Sequence, residues 1–147
     1  MFSVEINESK RLLVISAAGH VSKEEMRQAS EQVRNVLQDV APGIRALTDF
    51  RWLESIRPSA ASHITEIMDA LADKQVASVI RIIPKPGRDI AMNILSQFHY
   101  ARQLPITTVE TLVEALDRVI EQNAELEARV GATAVQRQRE ANGNRAN

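Results

Sequence analysis

Apolar and polar residues follow two different periods along this chain, and the two periods predict strands and helices in turn. From Phe2 to Ile6 every second residue is apolar, which predicts a half-buried strand. A second strand, apolar on both faces, runs from Leu12 to Ala18 and ends at Gly19-His20. The polar turn between the two strands predicts an antiparallel hairpin.

Helical spacing predicts four helices after this hairpin. Ser22 and Glu25 have the spacing of a capping box at the start of the first helix, and Pro42-Gly43 stops it. The other three are predicted at about Ser59–Asp73, from a cap at Asp89 to about Ala101, and from the capping box Thr111–Glu114 to about Ala128.

Three further strands alternate with these helices, at Ile44–Phe50, Val76–Ile83 and Ile106–Val109. Val76–Ile83 is rich in β-branched residues on both faces, which is typical of a parallel strand covered on both sides. The order ββαβαβαβα predicts an α/β fold with a mostly parallel five-stranded sheet, helices on both faces and an N-terminal antiparallel hairpin. Residues 1–130 are expected to form one domain. The tail, residues 131–147, has almost no large apolar residue and is expected to be frayed or disordered.

Composition limits the classes of partner. The chain has 147 residues with 18 basic and 19 acidic side chains, so no long-range field attracts nucleic acid or an anionic membrane. It has no Cys, which excludes disulfides and thiolate chemistry. Its apolar stretches are shorter than the roughly 20 residues of a membrane helix, and acids precede the first of them, unlike a signal peptide. We expect a cytoplasmic protein with no nucleic-acid partner and no membrane insertion.

No catalytic or metal-binding motif is visible. The three His residues lie in separate elements, without ligand spacing, so no metal is expected. There is no P-loop, dinucleotide loop or nucleophile elbow, so we expect neither a cofactor nor an enzyme. The remaining enzymatic hypothesis pairs Asp49 with His20 or His63.

The segment after the third strand is the main candidate site. Asp49 ends that strand, and a loop with the only Trp, Trp52, leads to the second helix. Binding sites of α/β sheets lie beyond the carboxyl ends of parallel strands. The loop at 84–89 falls at the same edge, where Lys85 and Arg88 either hold an anion at a helix start or are solvated charges.

The element order and the layout of Ile44–Ile64 resemble the STAS fold, named for sulfate transporters and anti-sigma factor antagonists. The chain is most similar to the SpoIIAA-like group of stand-alone bacterial proteins. Three stretches over about residues 2–120 carry this likeness: Leu47–Asp49, Ala60–Ala61, and Val109–Leu116 with Ala115. The resemblance implies a regulatory or protein-binding domain.

In the STAS family a partner kinase phosphorylates a Ser of an Asp-Ser-Ser-Gly motif at the second helix start. Counted from Asp49, that motif falls on Arg57, Pro58, Ser59 and Ala60, so only Ser59 matches. Ser59 is therefore a candidate phospho-acceptor or a simple helix cap. The departures from this motif, with Arg57 in place of the acid and Ala60 in place of the Gly, favour a binding surface over a kinase-driven switch.

We therefore predict a binding surface around the third strand and the two loops. Trp52 either anchors a partner or folds back over the sheet edge. Asp49 is interpreted as a strand-end acid bonded to loop amides. The residues of the predicted surface are Asp49, Trp52, Arg57, Ser59, Lys85 and Arg88.

Two further hypotheses concern partners. The last helix has apolar residues at heptad spacing around a polar Asn, which favours a homodimer. The predicted seam is Leu112, Leu116, Val119, Asn123, Leu126 and Val130. Alternatively, the chain carries a small apolar or lipid-like ligand between sheet and helices, beside Met26, Met68 and Met92.

Overall fold

The computed structural model describes residues 1–83 and 105–144, without the side chains of Leu126 and Val130. In this part of the chain there are five strands, three helices and one short 3₁₀ turn. The strands are β1 (Phe2–Asn7), β2 (Leu12–Val21), β3 (Arg45–Ile56), β4 (Ser78–Ile82) and β5 (Ile106–Val109). The helices are α1 (Lys23–Gln38), α2 (Ala61–Asp73) and α3 (Leu112–Asn144), and the 3₁₀ turn is Pro58–Ala60.

The strands form one mixed sheet in the order β1-β2-β3-β4-β5. β1 and β2 are antiparallel, and the pairs β2–β3, β3–β4 and β4–β5 are parallel. The predicted fold class is confirmed, including the N-terminal hairpin. The helix predicted at 89–101 lies outside the described residues.

The core lies between one sheet face and the helices α1 and α2. Leu13 and Ala46 of the sheet meet Val33 and Leu71 of the two helices, and all four side chains are at most 1% exposed. Each large side chain buried in this way stabilises the fold by about 1.5–3 kcal/mol. The opposite face is covered too, since the side chain of Ile80 is fully buried.

The capping box of α1 forms as predicted. The Ser22 hydroxyl accepts the Glu25 amide at 3.1 Å, and the Glu25 carboxylate accepts the Ser22 amide at 2.9 Å. At the start of α3, the Thr111 hydroxyl accepts the Glu114 amide at 3.2 Å. There the Glu114 carboxylate contacts the Thr111 hydroxyl, also at 3.2 Å.

Two strand ends differ from the prediction. β2 continues past Gly19-His20 to Val21, and β3 continues past Phe50 to Ile56. The two extensions pair with each other, through irregularities between Ser16 and Ala18 and between Gly19 and His20. Gly19 adopts a φ of +67°, which glycine tolerates, and so bends the strand without ending it. The predicted loop around Trp52 is therefore a strand.

Two helix bounds also differ. α2 begins at Ala61, after the 3₁₀ turn, because Pro58 fits the first position of a turn but Arg57 before it is extended. α3 continues well past Ala128 to Asn144. Its last part is rich in Ala, Gln, Arg and Glu, which are good helix formers, and it contains no Pro.

The chain divides into two units by its internal contacts, residues 1–115 and 116–147. The first contains the whole sheet together with α1 and α2. The second contains most of α3, where every described residue from Ala124 to Asn144 is exposed.

Candidate functional site

Asp49 is the last residue of β3 that pairs with β4, and it is held by an arginine two residues further on. The Arg51 guanidinium donates to both oxygens of Asp49, from Nε at 2.9 Å and from Nη2 at 2.8 Å. The Arg51 amide donates a third bond to Oδ1 at 3.1 Å. These hydrogen bonds from Arg51 lower the pKa of Asp49 against the opposing effect of burial. Asp49 is thus an anion held in a bidentate ion pair.

Trp52 projects from the extended part of β3. It pairs in register with Ala18 of β2, and its side chain is 71% exposed. The alternative that Trp52 folds back over the sheet edge is therefore wrong. Trp is enriched at protein interfaces, and an exposed indole on a paired strand is accessible for such a contact.

The chain then turns at Arg57, whose amide donates to the Val21 carbonyl at 3.2 Å. The side chains of Arg57 and Ser59 are exposed. The residue that caps α2 is Ala60, which offers no side-chain hydrogen bond. The reading of Ser59 as the helix cap is therefore wrong, because the helix begins two residues later.

A polar cluster lies beside Trp52 on the same two strands. His20 contacts the Ser55 hydroxyl through Nδ1 at 2.7 Å and the Glu54 carboxylate through Nε2 at 3.0 Å. Both His20 and Glu54 have mostly exposed side chains, at 76% and 61%. The cluster is therefore open to solvent, where a serine hydroxyl lacks the desolvation that a closed active site provides.

The enzymatic hypothesis needs Asp49 beside a histidine, and the described contacts do not bring them together. Asp49 bonds Arg51, His20 bonds Glu54 and Ser55, and His63 contacts Glu66 at 3.2 Å. Within residues 1–83 and 105–144, no group of three or more His and acidic residues could hold a metal ion.

An apolar cavity of about 60 Å³ lies between the sheet and the helices α1 and α2. Met26 and Met68 line it, as the carrier hypothesis expected, and Met92 lies outside the described residues. Three polar residues also line it. They are Ser16 of β2, Thr48 of β3, which is 8% exposed, and Arg81 of β4, which is 7% exposed.

The remaining predicted site residues are spread over other parts of the chain. Lys85 and Arg88 lie outside the described residues. In the predicted dimer seam, Leu116 is 45% exposed, Val119 is 7% exposed and Asn123 is half-buried. The side chains of Leu126 and Val130 lie outside the description.

The sequence reasoning missed the cluster around His20 and the two buried polar residues of the cavity, Thr48 and Arg81. His20 and Ser55 are 35 positions apart, so only the strand register brings them together. Arg81 did carry a signal, because it is a single charge within the apolar run Val79–Ile83 of a central strand. A charge at such a position is unfavourable unless it has a structural or binding role.

Solved structures share the fold described above. No protein-family model matches the chain, and no curated protein matches it. One similar structure is an uncharacterised DUF3478-family protein with a SpoIIAA-like fold from Shewanella loihica PV-4. It is 21% identical with a TM-score of 0.63, over 80% of this chain and 93% of that chain.

Two further structures extend the comparison. The anti-sigma factor antagonist SpoIIAA in its unphosphorylated form is 20% identical, with a TM-score of 0.58, over 81% of this chain and 97% of that one. The phosphorylated Bacillus cell fate determinant SpoIIAA is 21% identical, with a TM-score of 0.55, over 81% of this chain and 99% of that one. The chain therefore has a STAS or SpoIIAA-like fold, as its resemblance implied. None of the described helices is long and apolar enough to span a membrane.

Proposed function

We propose that this chain is a non-enzymatic regulatory domain that binds a protein partner through a surface we call the Trp52 surface. It consists of Asp49, Trp52, Arg57 and Ser59. The proposal rests on the 71% exposure of Trp52 on a paired strand. Truncation of a solvent-exposed tryptophan loses no core packing, so a binding role accounts for its position better than a structural one.

The arrangement of charges supports this function. The Asp49–Arg51 pair is half-buried and fixed, while Arg57 is exposed at the adjacent turn. Trp and Arg are both enriched among interface hot-spot residues, and this segment exposes one of each. One similar structure is described as an anti-sigma factor antagonist, which also favours a protein as the partner.

Affinity capture with the intact chain from its native host tests this function. Trp52→Ala should lose partners that the unmodified chain retains, because truncation of a hot-spot residue costs about 2 kcal/mol or more of binding free energy. Val113→Ala is the matched control, since Val113 is 69% exposed in the same unit and is not part of the Trp52 surface.

Phosphorylation of Ser59 is a proposed form of regulation of the same surface. A phosphate there would add nearly two negative charges beside Arg57 and close to the start of α2, where first-turn amides favour an anion. Mass spectrometry of the protein from its native host under several growth conditions should find phosphate on Ser59. Its absence in every condition would contradict this regulation.

Homodimerisation through α3 is also proposed. From Ala124 onward every described residue of the helix is exposed, and an isolated amphipathic helix gains most of its stability from packing. A seam around Asn123 would supply that packing. Light scattering of the intact chain at tens of micromolar should give twice the monomer mass, and a monomer mass would remove the proposal.

A second candidate function is transport of a small apolar ligand, favoured by the apolar cavity under α1 and α2. Its volume of about 60 Å³ accommodates roughly four to six water-sized groups. A long lipid chain does not fit this volume unless the helices move. Native mass spectrometry distinguishes the two functions, because a carrier should retain a co-purified small molecule and a protein-binding domain should give a clean apo mass.

A further inference from the structure

A row of three polar residues crosses the sheet, and two of them line the largely apolar cavity. Thr48, Arg81 and Thr108 are neighbours in the register of β3, β4 and β5. Arg81 donates from Nη2 to the Thr108 hydroxyl at 3.3 Å, among its contacts. The Thr48 hydroxyl is buried and has no hydrogen-bond partner in the described part of the chain. Both Thr48 and Arg81 line the cavity.

A buried hydroxyl without a partner destabilises the fold and is unusual in native structures. A ligand in the cavity that accepts a hydrogen bond from Thr48 would remove this cost. The adjacent guanidinium determines the charge of such a ligand. Its planar N–H donors match a carboxylate, and its charge repels an amine.

The cavity lining and volume determine the polarity and the size of the part of the ligand beyond its carboxylate. Most of the remaining lining is apolar, and it includes Ile15, Met26, Ile64 and Met68. At about 60 Å³ it holds roughly four to six heavy atoms, which corresponds to an acid of about three or four carbons. A long-chain fatty acid is excluded by size.

We propose that the cavity binds a short-chain aliphatic carboxylate. The carboxylate accepts hydrogen bonds from Thr48 and Arg81, and the alkyl chain lies among the methionines and branched side chains. The inference specifies the ligand class of the carrier function proposed above and rests on that function. It assigns Thr48 a role that its packing does not explain.

Butyrate is the probe that tests this inference, titrated into the intact chain and followed by NMR of the Met26 and Met68 methyl groups. We expect saturable shifts at both methyls with butyrate. Butan-1-ol should bind at least about tenfold more weakly, because it lacks the charge that the arginine pairs with. Butylamine should not bind.

Thr48→Val is the decisive variant, because valine keeps the shape of threonine and lacks only the hydroxyl. It should keep the fold and weaken butyrate binding at least about tenfold. Val113→Ala, an exposed residue outside the cavity lining, should leave butyrate binding unchanged.

Three results would overturn the inference. They are equal binding of butyrate to the Thr48→Val variant, equal binding of butan-1-ol and butyrate, and absence of butyrate binding to the folded chain. Palmitate, a long-chain probe, distinguishes failure of the short-chain ligand from failure of the carrier function. Binding of palmitate without butyrate would overturn the short-chain ligand and leave the carrier function standing, whereas binding of neither would overturn both.

Discussion

At the scale of single residues, the third strand carries both the fixed and the accessible groups of the candidate site. Asp49 was predicted as a strand-end acid bonded to amides, and it does accept the Arg51 amide. The contact between Asp49 and the Arg51 guanidinium could have been predicted from the sequence, because residues two apart on a strand share a face. The contact of His20 with Ser55 could not have been predicted, because it depends on the pairing of the extended ends of β2 and β3, which the sequence pattern does not show.

The Asp49–Arg51 pair should contribute to stability in a pH-dependent way. Because Arg51 lowers the pKa of Asp49 in the native state, the stabilisation is present at neutral pH. It begins to fall as the pH approaches the unfolded value of about 4 and is lost below the native pKa. Asp49→Asn should cost roughly 1 kcal/mol of unfolding free energy near pH 7, since both side chains are partly accessible.

Urea denaturation at several pH values measures this effect. The difference between the unmodified chain and Asp49→Asn should shrink as the solution becomes more acidic. Glu5→Gln, which removes an exposed carboxylate from the edge strand β1, should show little difference at any pH. A constant difference for Asp49→Asn down to low pH would show that packing, and not the ion pair, is responsible.

At the scale of elements, periodicity predicted the order of strands and helices, while their ends depended on interactions it does not record. Gly19-His20 has the composition of a strand end, but β2 remains paired with β3 as far as Val21. The residues after Phe50 include several polar ones, so periodicity did not predict that β3 continues, because its extension also depends on pairing with β2. The capping box of α1 was predictable because all its atoms lie within four consecutive residues.

That capping box should contribute measurably to stability. Ser22→Ala removes the acceptor for the Glu25 amide and should lower the free energy of unfolding by about 1 kcal/mol. Ser22→Asp, which keeps an acceptor at the cap, should restore most of it. Thermal denaturation compares the three proteins, and equal melting temperatures for the unmodified chain and Ser22→Ala would contradict a stabilising cap.

The last part of α3 should be the first segment to be cleaved by a protease. Arg137 and Arg139 are exposed on a helix without described packing there, whereas Arg45 and Arg81 are 7% exposed within the sheet. Trypsin should therefore cut near residue 137 first and leave a resistant fragment. Cleavage at Arg45 as early as at Arg137 would contradict this prediction.

At the scale of the whole molecule, the SpoIIAA-like fold provides the scaffold and one end of its sheet provides the accessible chemistry. The extended β2–β3 pair carries Trp52 together with the cluster of His20, Glu54 and Ser55. The fold class was predictable because it depends on element order. The accessible surface was only partly predictable, since exposure depends on what the rest of the chain covers.

Quantitative affinity capture of the intact chain and its Trp52→Ala and Val113→Ala variants tests the central claim most directly. Trp52→Ala should fold normally, with stability within about 0.5 kcal/mol, because its side chain is exposed. We predict that the unmodified chain and Val113→Ala retain the same protein partner and that Trp52→Ala loses it. Retention of that partner by a folded Trp52→Ala variant at an undiminished level would contradict the proposed binding surface.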